Sequence, residues 1–249
     1  MTGQFKDHFS AHAGCYAAFR PSYPMELFDW LAAEAPARNC AWDCATGNGQ
    51  AALSLARRFT RVLASDASEE QIRCAVPAGN IIYRTEPAES SSLPDASVDL
   101  LTVAQAYHWF DHAAFVREAR RVLVGNGLMA IWTYALARVT APVDEIVQKL
   151  YSQIIGSYWP PERRLVEQGY RDFTFPWPDL AAPGFAIEHD WNLDSFEGYL
   201  RTWSAVQRYV AAEHADPVEM VHPALLRAWG KSEKIHRVRW SIALRAFRV

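Results

Sequence analysis

Apolar residues recur with two different periods along the first half of the chain. Five short apolar runs predict strands, at 39–43, 61–65, 81–83, 98–104 and 128–133. Four stretches before and between them have helical spacing, at 25–35, 50–59, 68–75 and 111–123, with Ser68 and Asp111 as candidate N-caps. Because strand and helix alternate with short links, we predict a parallel sheet with helices on both faces.

The second half of the chain predicts mostly helix. We expect a helix over 143–155, a strand over 185–189, a long helix running to Val210, a helix over 223–229 and a final strand over 236–248. Asp194 with Glu197 has the spacing of a capping pair for the long helix. We therefore expect one domain over 1–249, in which 140–235 is a helical elaboration at one end of the sheet.

Composition and charge exclude several classes of protein. The 249 residues are 50% hydrophobic, with a formal net charge of −3 and a pI near 6.2, so a nucleic-acid partner is not expected. Apolar runs are too short to cross a bilayer, the first eight residues have no apolar core of a signal peptide, and the four cysteines form no C-x-x-C pair. The eight histidines show no metal-ligand spacing, so no metal is expected. These features are typical of a cytoplasmic α/β enzyme.

A glycine-containing loop follows the first predicted strand and carries the strongest chemical signal. In Asp43-Cys44-Ala45-Thr46-Gly47-Asn48-Gly49, the glycines allow a sharp turn and close approach of a ligand. A carboxylate at Asp43 would repel a pyrophosphate but suits a ligand with an amino group. Asp66, at the end of the second strand, is placed to accept hydrogen bonds from a ribose diol. Ribose together with an amino group describes S-adenosylmethionine (SAM).

The motifs around this loop resemble those of the class I SAM-dependent methyltransferases. The family's D-x-G-x-G-x-G loop matches with Ala45 in place of its first glycine, and further matches lie at 88–89, 93–100, 105–111 and 120–127. The resemblance implies a Rossmann-like seven-stranded, mostly parallel sheet, and SAM as the cofactor with S-adenosylhomocysteine as its product. Pro87 stands where many relatives have an acidic residue that meets the adenine amine.

A narrower similarity extends over nearly the whole chain. Segments 9–24, 158–163, 202–204 and 239–240 resemble small-molecule enzymes similar to trans-aconitate methyltransferase. This resemblance implies a lid segment at 1–24, a SAM-binding core at 25–139 and a final strand at 236–249.

Candidate site residues follow from the motifs and the resemblance. The candidates for cofactor binding are Tyr16, Arg20, Asp43, Ala45, Gly47, Gly49, Asp66, Ala67, Ala88, Glu89 and Gln105. The candidates for the acceptor pocket are His108, Trp109, Trp159, Arg163 and Trp203. His108 is the candidate catalytic residue, either as a proton acceptor or as a support for Trp109 and its loop.

The expected reaction is methyl transfer to a small molecule. A carboxylate acceptor needs no base and would be oriented by an arginine, whereas a phenol, amine or carbon acid would need a base such as His108. Two other functions stay open on the residues alone: an NAD(P)-dependent oxidoreductase that uses the same glycine loop, and a SAM-binding module without catalysis. We expect a small-molecule partner, no nucleic acid, no membrane, and a monomer or homodimer.

Overall fold

The computed structural model describes residues 21–249, and seven strands in this range form one sheet. The strands are β1 Cys40–Cys44, β2 Arg61–Asp66, β3 Ile81–Thr85, β4 Val98–Ala104, β5 Leu123–Tyr134, β6 Phe185–Trp191 and β7 His236–Arg248. Their order in the sheet is β3-β2-β1-β4-β5-β7-β6. The first five strands pair in parallel, and β7 is antiparallel to both β5 and β6. The predicted seven-stranded, mostly parallel sheet is confirmed.

Helices connect the parallel strands and cover one end of the sheet. They are α1 Met25–Glu34, α2 Gln50–Ala56, α3 Glu69–Arg73, α4 His112–Val122, α5 Ala141–Lys149, α6 Arg163–Glu167, α7 Leu193–Arg201, α8 Ser204–Glu213 and α9 Pro217–Trp229. Two of the predicted N-caps are confirmed: Ser68 accepts a hydrogen bond from the backbone N–H of Gln71, and Asp111 accepts one from that of Ala114. No helix in 21–249 combines the length and apolarity needed to cross a membrane.

The strand order reverses beside β1, and this reversal positions the site. Strands β2 and β3 follow on one side of β1, whereas β4 and β5 lie on the other. All five residues of β1 are buried, as are the first six of β4, because helices cover both faces of these central strands. In open parallel sheets, ligands bind at the carboxyl ends of the strands where the order reverses, which here means beyond Cys44 and Ala104.

The structure corrects the predicted helix cap at Asp194. The N-cap of α7 is Asn192, whose Oδ1 accepts a hydrogen bond from the backbone N–H of Ser195 at 2.9 Å. Glu197 is only 4% exposed and pairs with His222 at 2.7 Å instead of reaching back to the cap. Asparagine and aspartate cap helices equally well, so residue type alone could not distinguish Asn192 from Asp194 as the N-cap.

The predicted long helix up to Val210 and the predicted start at Pro223 are also wrong. Extended backbone at Trp203 ends one helix and begins another, giving α7 and α8. Helix α9 begins six residues earlier than predicted, with Pro217 in its first turn, and continues through Pro223. An internal proline removes one helical hydrogen bond, and the buried face of α9, which includes Leu225 and Trp229, stabilises the helix across that gap.

The helical elaboration shares its core with the antiparallel end of the sheet. Trp240 on β7 packs against Tyr199 on α7, with ring centroids 5.2 Å apart, and its Nε1 donates to the Tyr199 hydroxyl at 3.0 Å. Tyr134, the last residue of β5, belongs to the same apolar cluster. The helices therefore lie next to the carboxyl end of β5, where they form one side of the site.

Candidate active site

The loop after β1 has a left-handed backbone at every second residue. Ala45, Gly47 and Gly49 have φ angles of +54°, +57° and +89°. A Cβ atom at Gly49 would lie 2.5 Å from the hydroxyl of Tyr83 on β3, so this position needs glycine for space as well as for conformation. The loop therefore lies against the side chain of Tyr83 and leads directly into α2.

Ala45 has a left-handed backbone, a conformation that glycine adopts with less strain than alanine. We expect Ala45→Gly to raise the free energy of unfolding by about 0.5–1 kcal/mol, because a left-handed alanine is strained by more than the entropy that glycine loses on folding. Chemical denaturation would measure the change. Ala56→Gly in α2 is the matched control, since a helical alanine should lose about that amount instead. Equal losses in both variants would contradict the strain at Ala45.

Asp66 connects the loop after β1 to the start of α3. One carboxylate oxygen accepts the backbone N–H of Gly47 and the other accepts that of Ser68, each at 2.9 Å. A carboxylate accepts hydrogen bonds at both oxygens, which is the chemistry that the predicted contact to a ribose diol needs.

Asp43 lies beneath the loop, outside the lining of the adjacent cavity. Its two oxygens accept hydrogen bonds from the hydroxyls of Thr46 at 2.5 Å and Thr102 at 2.8 Å. Burial raises the pKa of Asp43 to about 6, although both hydroxyls oppose the shift. Thr46 itself lines the cavity, so Asp43 would act on a ligand there through Thr46 and through its charge.

A cavity of about 780 Å³ opens at the carboxyl ends of β1, β2 and β4. Of the predicted cofactor and acceptor residues, those that line it are Ala45, Gly47, Asp66, Ala67, Ala88, Glu89, Gln105, His108 and Trp109. Gly49 and Asp43 support this lining from behind. Tyr16 and Arg20 lie outside the described residues.

Two of the lining residues also hold the loop after β4 in place. Glu89 accepts the backbone N–H of Asp111 at 2.9 Å, which fixes the start of α4. Gln105 has a φ of +60°, and its side-chain oxygen accepts the hydroxyl of Thr133 at 2.7 Å. Gln105 also lies on the cavity wall.

A second, smaller cavity of about 90 Å³ lies beside the first. Four residues line both: Gln105, His108, Trp109 and Tyr134. The remaining predicted acceptor residues, Trp159, Arg163 and Trp203, line the smaller cavity, so the structure brings all five of that group to one place. Tyr199 and Ser204 complete its wall from the helical elaboration.

Comparison with known proteins shows which family uses this arrangement. A family model described as "Methyltransferase domain" matches residues 42–131. A protein of Dictyostelium discoideum named as a methyltransferase is 34% identical over 230 residues, covering 91% of this chain and 88% of its own. This chain belongs to the class I SAM-dependent methyltransferases.

Two further relatives agree with this assignment. An uncharacterized methyltransferase of Mycobacterium tuberculosis is 38% identical over 228 residues, covering 89% of each chain. A structure from Anaeromyxobacter dehalogenans, titled as a type II methyltransferase, is 49% identical with a TM-score of 0.88 and covers 93% of this chain and 98% of that one. The methyltransferase is therefore a transferase that uses SAM, and the nicotinamide alternative is not retained.

The residues of the larger cavity fit SAM chemically. Asp66 can accept the ribose hydroxyls, the loop from Ala45 to Gly47 brings backbone close to the ligand, and Ala67, Pro87 and Ala88 offer small apolar surfaces to an adenine ring. The volume lies within the range of cofactor pockets. When bound, SAM supplies a methyl group on a positively charged sulfur, which makes that methyl electrophilic.

Arg163 is the cationic side chain of the smaller cavity. Its Nε donates to the hydroxyl of Tyr151 at 2.7 Å, and its guanidinium carbon lies 4.6 Å from the ring centroid of Trp159. The Tyr151 hydroxyl in turn donates to Glu167. Among the described residues, no hydrogen bond or ion pair occupies the terminal nitrogens of Arg163, so they remain available to an anion.

His108 is held as a neutral ring. Burial, followed by the positive charges of Arg163 and His112, lowers the pKa of His108 to about 3. Its Nδ1 lies 2.8 Å from the hydroxyl of Tyr170. Such a ring is a much weaker base than an ordinary histidine, and this limits its value for removing a proton from a phenol or amine.

Sequence reasoning missed several residues of the site. Thr46 is part of the quoted loop, and Tyr134 follows the rule that ligands bind at the carboxyl ends of strands, so both carried a usable signal. Tyr23 lines the larger cavity from the last part of segment 1–24, which was expected to form a lid. Tyr170 and Tyr199 carried no sequence signal for the site, because only the tertiary fold brings these distant residues next to it.

Proposed function

We propose that this methyltransferase transfers the methyl group of SAM to a carboxylate of a small organic acid. The observation that carries the proposal is the guanidinium of Arg163 in a small cavity that shares four wall residues with the cofactor cavity. A planar guanidinium matches a carboxylate in geometry and charge. We infer from the shared wall that an anion at Arg163 would lie close to the methyl group of bound SAM. The narrower similarity to enzymes resembling trans-aconitate methyltransferase supports the same class of acceptor.

The chain's own residues would bind and orient the acceptor. Arg163 stacks on Trp159 and is held by Tyr151, so its remaining donors have a restricted direction before the acceptor arrives. Trp203 and Tyr199 provide apolar surface that excludes water from the methyl and its acceptor. A carboxylate is ionised at neutral pH and attacks without giving up a proton, which agrees with the weak basicity of His108.

A screen of small mono-, di- and tricarboxylic acids with labelled SAM would test the proposal. The expected product is a methyl ester, which mild alkali hydrolyses to release the label as methanol. Label that is stable to alkali, as in an ether, amine or carbon–methyl product, would contradict the carboxylate acceptor. Transfer to none of the acids, with transfer to a phenol or an amine, would do the same.

Substitution of Arg163 gives the matching prediction. We expect Arg163→Met to raise KM for the acid about thirtyfold, because a charged hydrogen bond contributes about 2 kcal/mol, while the affinity for S-adenosylhomocysteine stays the same. Arg163→Lys should restore part of the loss through its charge. Arg164→Met is the control, since Arg164 is exposed and next to Arg163 in α6. A KM unchanged by Arg163→Met would remove this residue from acceptor binding.

Other properties of the enzyme stay predictions. We propose a cytoplasmic location, no nucleic-acid or membrane partner, and a monomer or homodimer, on the composition and charge given above.

A further inference from the structure

We propose that Tyr170 fixes the tautomer of His108, so that His108 presents an Nε2–H donor to the acceptor molecule and is not its base. Tyr170 is a positioning residue in this proposal, because it acts through His108. The proposal rests on the proposed function only in taking the molecule in the smaller cavity as the recipient of this hydrogen bond.

A hydrogen bond joins the side chains of Tyr170 and His108. The Tyr170 hydroxyl is 2.8 Å from Nδ1 of His108, and Tyr170 is 1% exposed. Its ring packs against the rings of Tyr107 and Phe173, with centroids 5.8 and 5.9 Å away. Within residues 21–249, His108 provides the only hydrogen-bond partner of this hydroxyl.

The direction of this hydrogen bond follows from the number of donors. If Nδ1 carried a proton and donated to the hydroxyl, the phenolic hydrogen of Tyr170 would be buried without an acceptor, which costs about 1–3 kcal/mol. If Tyr170 donates to Nδ1, the hydroxyl hydrogen is satisfied. The phenolic proton is firmly held, since burial raises the pKa of Tyr170 above its usual range. Tyr170 is therefore the donor and Nδ1 the acceptor.

Strained backbone and a half-buried arginine hold Tyr170 in place. Gly169 and Tyr170 both have φ near +61°, which is strained for tyrosine, and a Cβ at Gly169 would lie 2.8 Å from Cβ of Ala243. The Tyr170 carbonyl accepts a hydrogen bond from Arg245 at 2.9 Å, and Asp179 binds the same guanidinium. Strained backbone persists where its surroundings determine it strongly, and here they determine the position of one hydroxyl.

Burial and the nearby charges keep the His108 ring neutral. Burial disfavours the imidazolium most strongly, and the positive charges of Arg163 and His112 lower the pKa of His108 further. A neutral imidazole has one N–H group, so a ring that accepts at Nδ1 carries its hydrogen on Nε2. Because His108 lines both cavities, that hydrogen is offered at the boundary between cofactor and acceptor.

This tautomer favours an acceptor that needs no base. With its hydrogen on Nε2 and its Nδ1 occupied, His108 can donate to an acceptor oxygen but has no free lone pair for a proton. Together with Arg163, it would provide donors to one carboxylate from two sides of the smaller cavity. An acceptor that must lose a proton during transfer would find no help from this residue.

Nitrogen NMR on histidine-labelled enzyme tests the tautomer without any acceptor. Spectra of the wild type and of His108→Gln would assign the ring, and the two-bond couplings between ring hydrogens and nitrogens distinguish the tautomers. We expect the Nε2–H form at pH 7, with no protonation down to pH 5, and a mixture of both tautomers in Tyr170→Phe. The Nδ1–H form or an imidazolium in the wild type would overturn the proposal. A pure Nε2–H form that persists in Tyr170→Phe would show that Tyr170 does not fix the tautomer of His108.

A rescue experiment tests the donor role. Glutamine places an amide N–H near the position of Nε2 but is not a base. With an acid from the screen, we expect His108→Ala to lower kcat/KM about a hundredfold and His108→Gln to recover about tenfold of that loss. Equal activity of the two variants would overturn the donor role. If no acid is methylated, the proposed function fails, while the NMR measurement still decides the tautomer; binding of S-adenosylhomocysteine would show that each variant is folded.

Discussion

Gly49→Ala is expected to lower the free energy of unfolding by about 3 kcal/mol. A methyl group at this position meets the Tyr83 hydroxyl at 2.5 Å, and the backbone there has a φ of +89°. Overpacking contributes about 1–3 kcal/mol and the left-handed alanine about 1–2 kcal/mol. Tyr83 cannot move away freely, since its hydroxyl donates to the carbonyl of Val76 at 2.8 Å. Thermal unfolding would show the loss as a fall in Tm of about 6–12 °C.

Two variants separate the causes of this loss. Gly47→Ala has a similar left-handed backbone, but its nearest neighbour, the side-chain oxygen of Gln71, is 3.8 Å from the added carbon, so only the conformational part is expected. In a Tyr83→Phe background, Gly49→Ala should cost about 1 kcal/mol less, because the hydroxyl is gone. If Gly49→Ala and Gly47→Ala are equally stable, the close approach to Tyr83 does not constrain this loop.

Asp66→Ala is expected to weaken binding of S-adenosylhomocysteine by about two to four orders of magnitude. The substitution removes the acceptor for two ribose hydroxyls, and hydrogen bonds to a charged group contribute about 1.5–3 kcal/mol each. It also removes the hydrogen bonds that Asp66 accepts from the backbone N–H groups of Gly47 and Ser68. The loop after β1 then loses two of the contacts that fix its position. Isothermal titration calorimetry would measure the affinity.

Asp95→Ala is the control for this substitution. Its carboxylate is 79% exposed and pairs with Arg121, away from both cavities, so no change in affinity is expected. Thermal unfolding without ligand would separate a general loss of stability from a loss of binding. An Asp66→Ala affinity within threefold of the wild type would show that Asp66 only supports the loop.

Most of the parallel sheet could be predicted because its signals are local. Strand β4 is a continuous apolar run, and the caps at Ser68 and Asp111 depend on residues within three positions of one another. The glycine loop was recognisable for the same reason. Its finer geometry was not: Asp43 faces Thr46 and Thr102, and the latter contact crosses from β1 to β4.

The helical elaboration was harder to predict because tertiary packing overrides its local signals. The break between α7 and α8 has no glycine or proline, and Pro223 lies inside a helix. Tyr170 is 62 positions from His108 in sequence, and it lies in a left-handed turn for which a tyrosine gives no sequence signal. The acceptor side of the site depends on this part of the chain, and therefore its residues were expected on resemblance more than on pattern.

The position of β7 determines the order in which the sheet can be assembled during synthesis. Strand β6 is made before β7, and within residues 21–249 it pairs with β7 alone, which separates it from β5. A nascent chain that has emerged only as far as residue 235 therefore has an edge at β5 with unpaired backbone groups, and β6 has no partner. Pairings between distant segments form slowly, so this interval favours association with other nascent chains or with chaperones. The acceptor pocket, whose walls lie beside this part of the sheet, would be the last part of the enzyme to take shape.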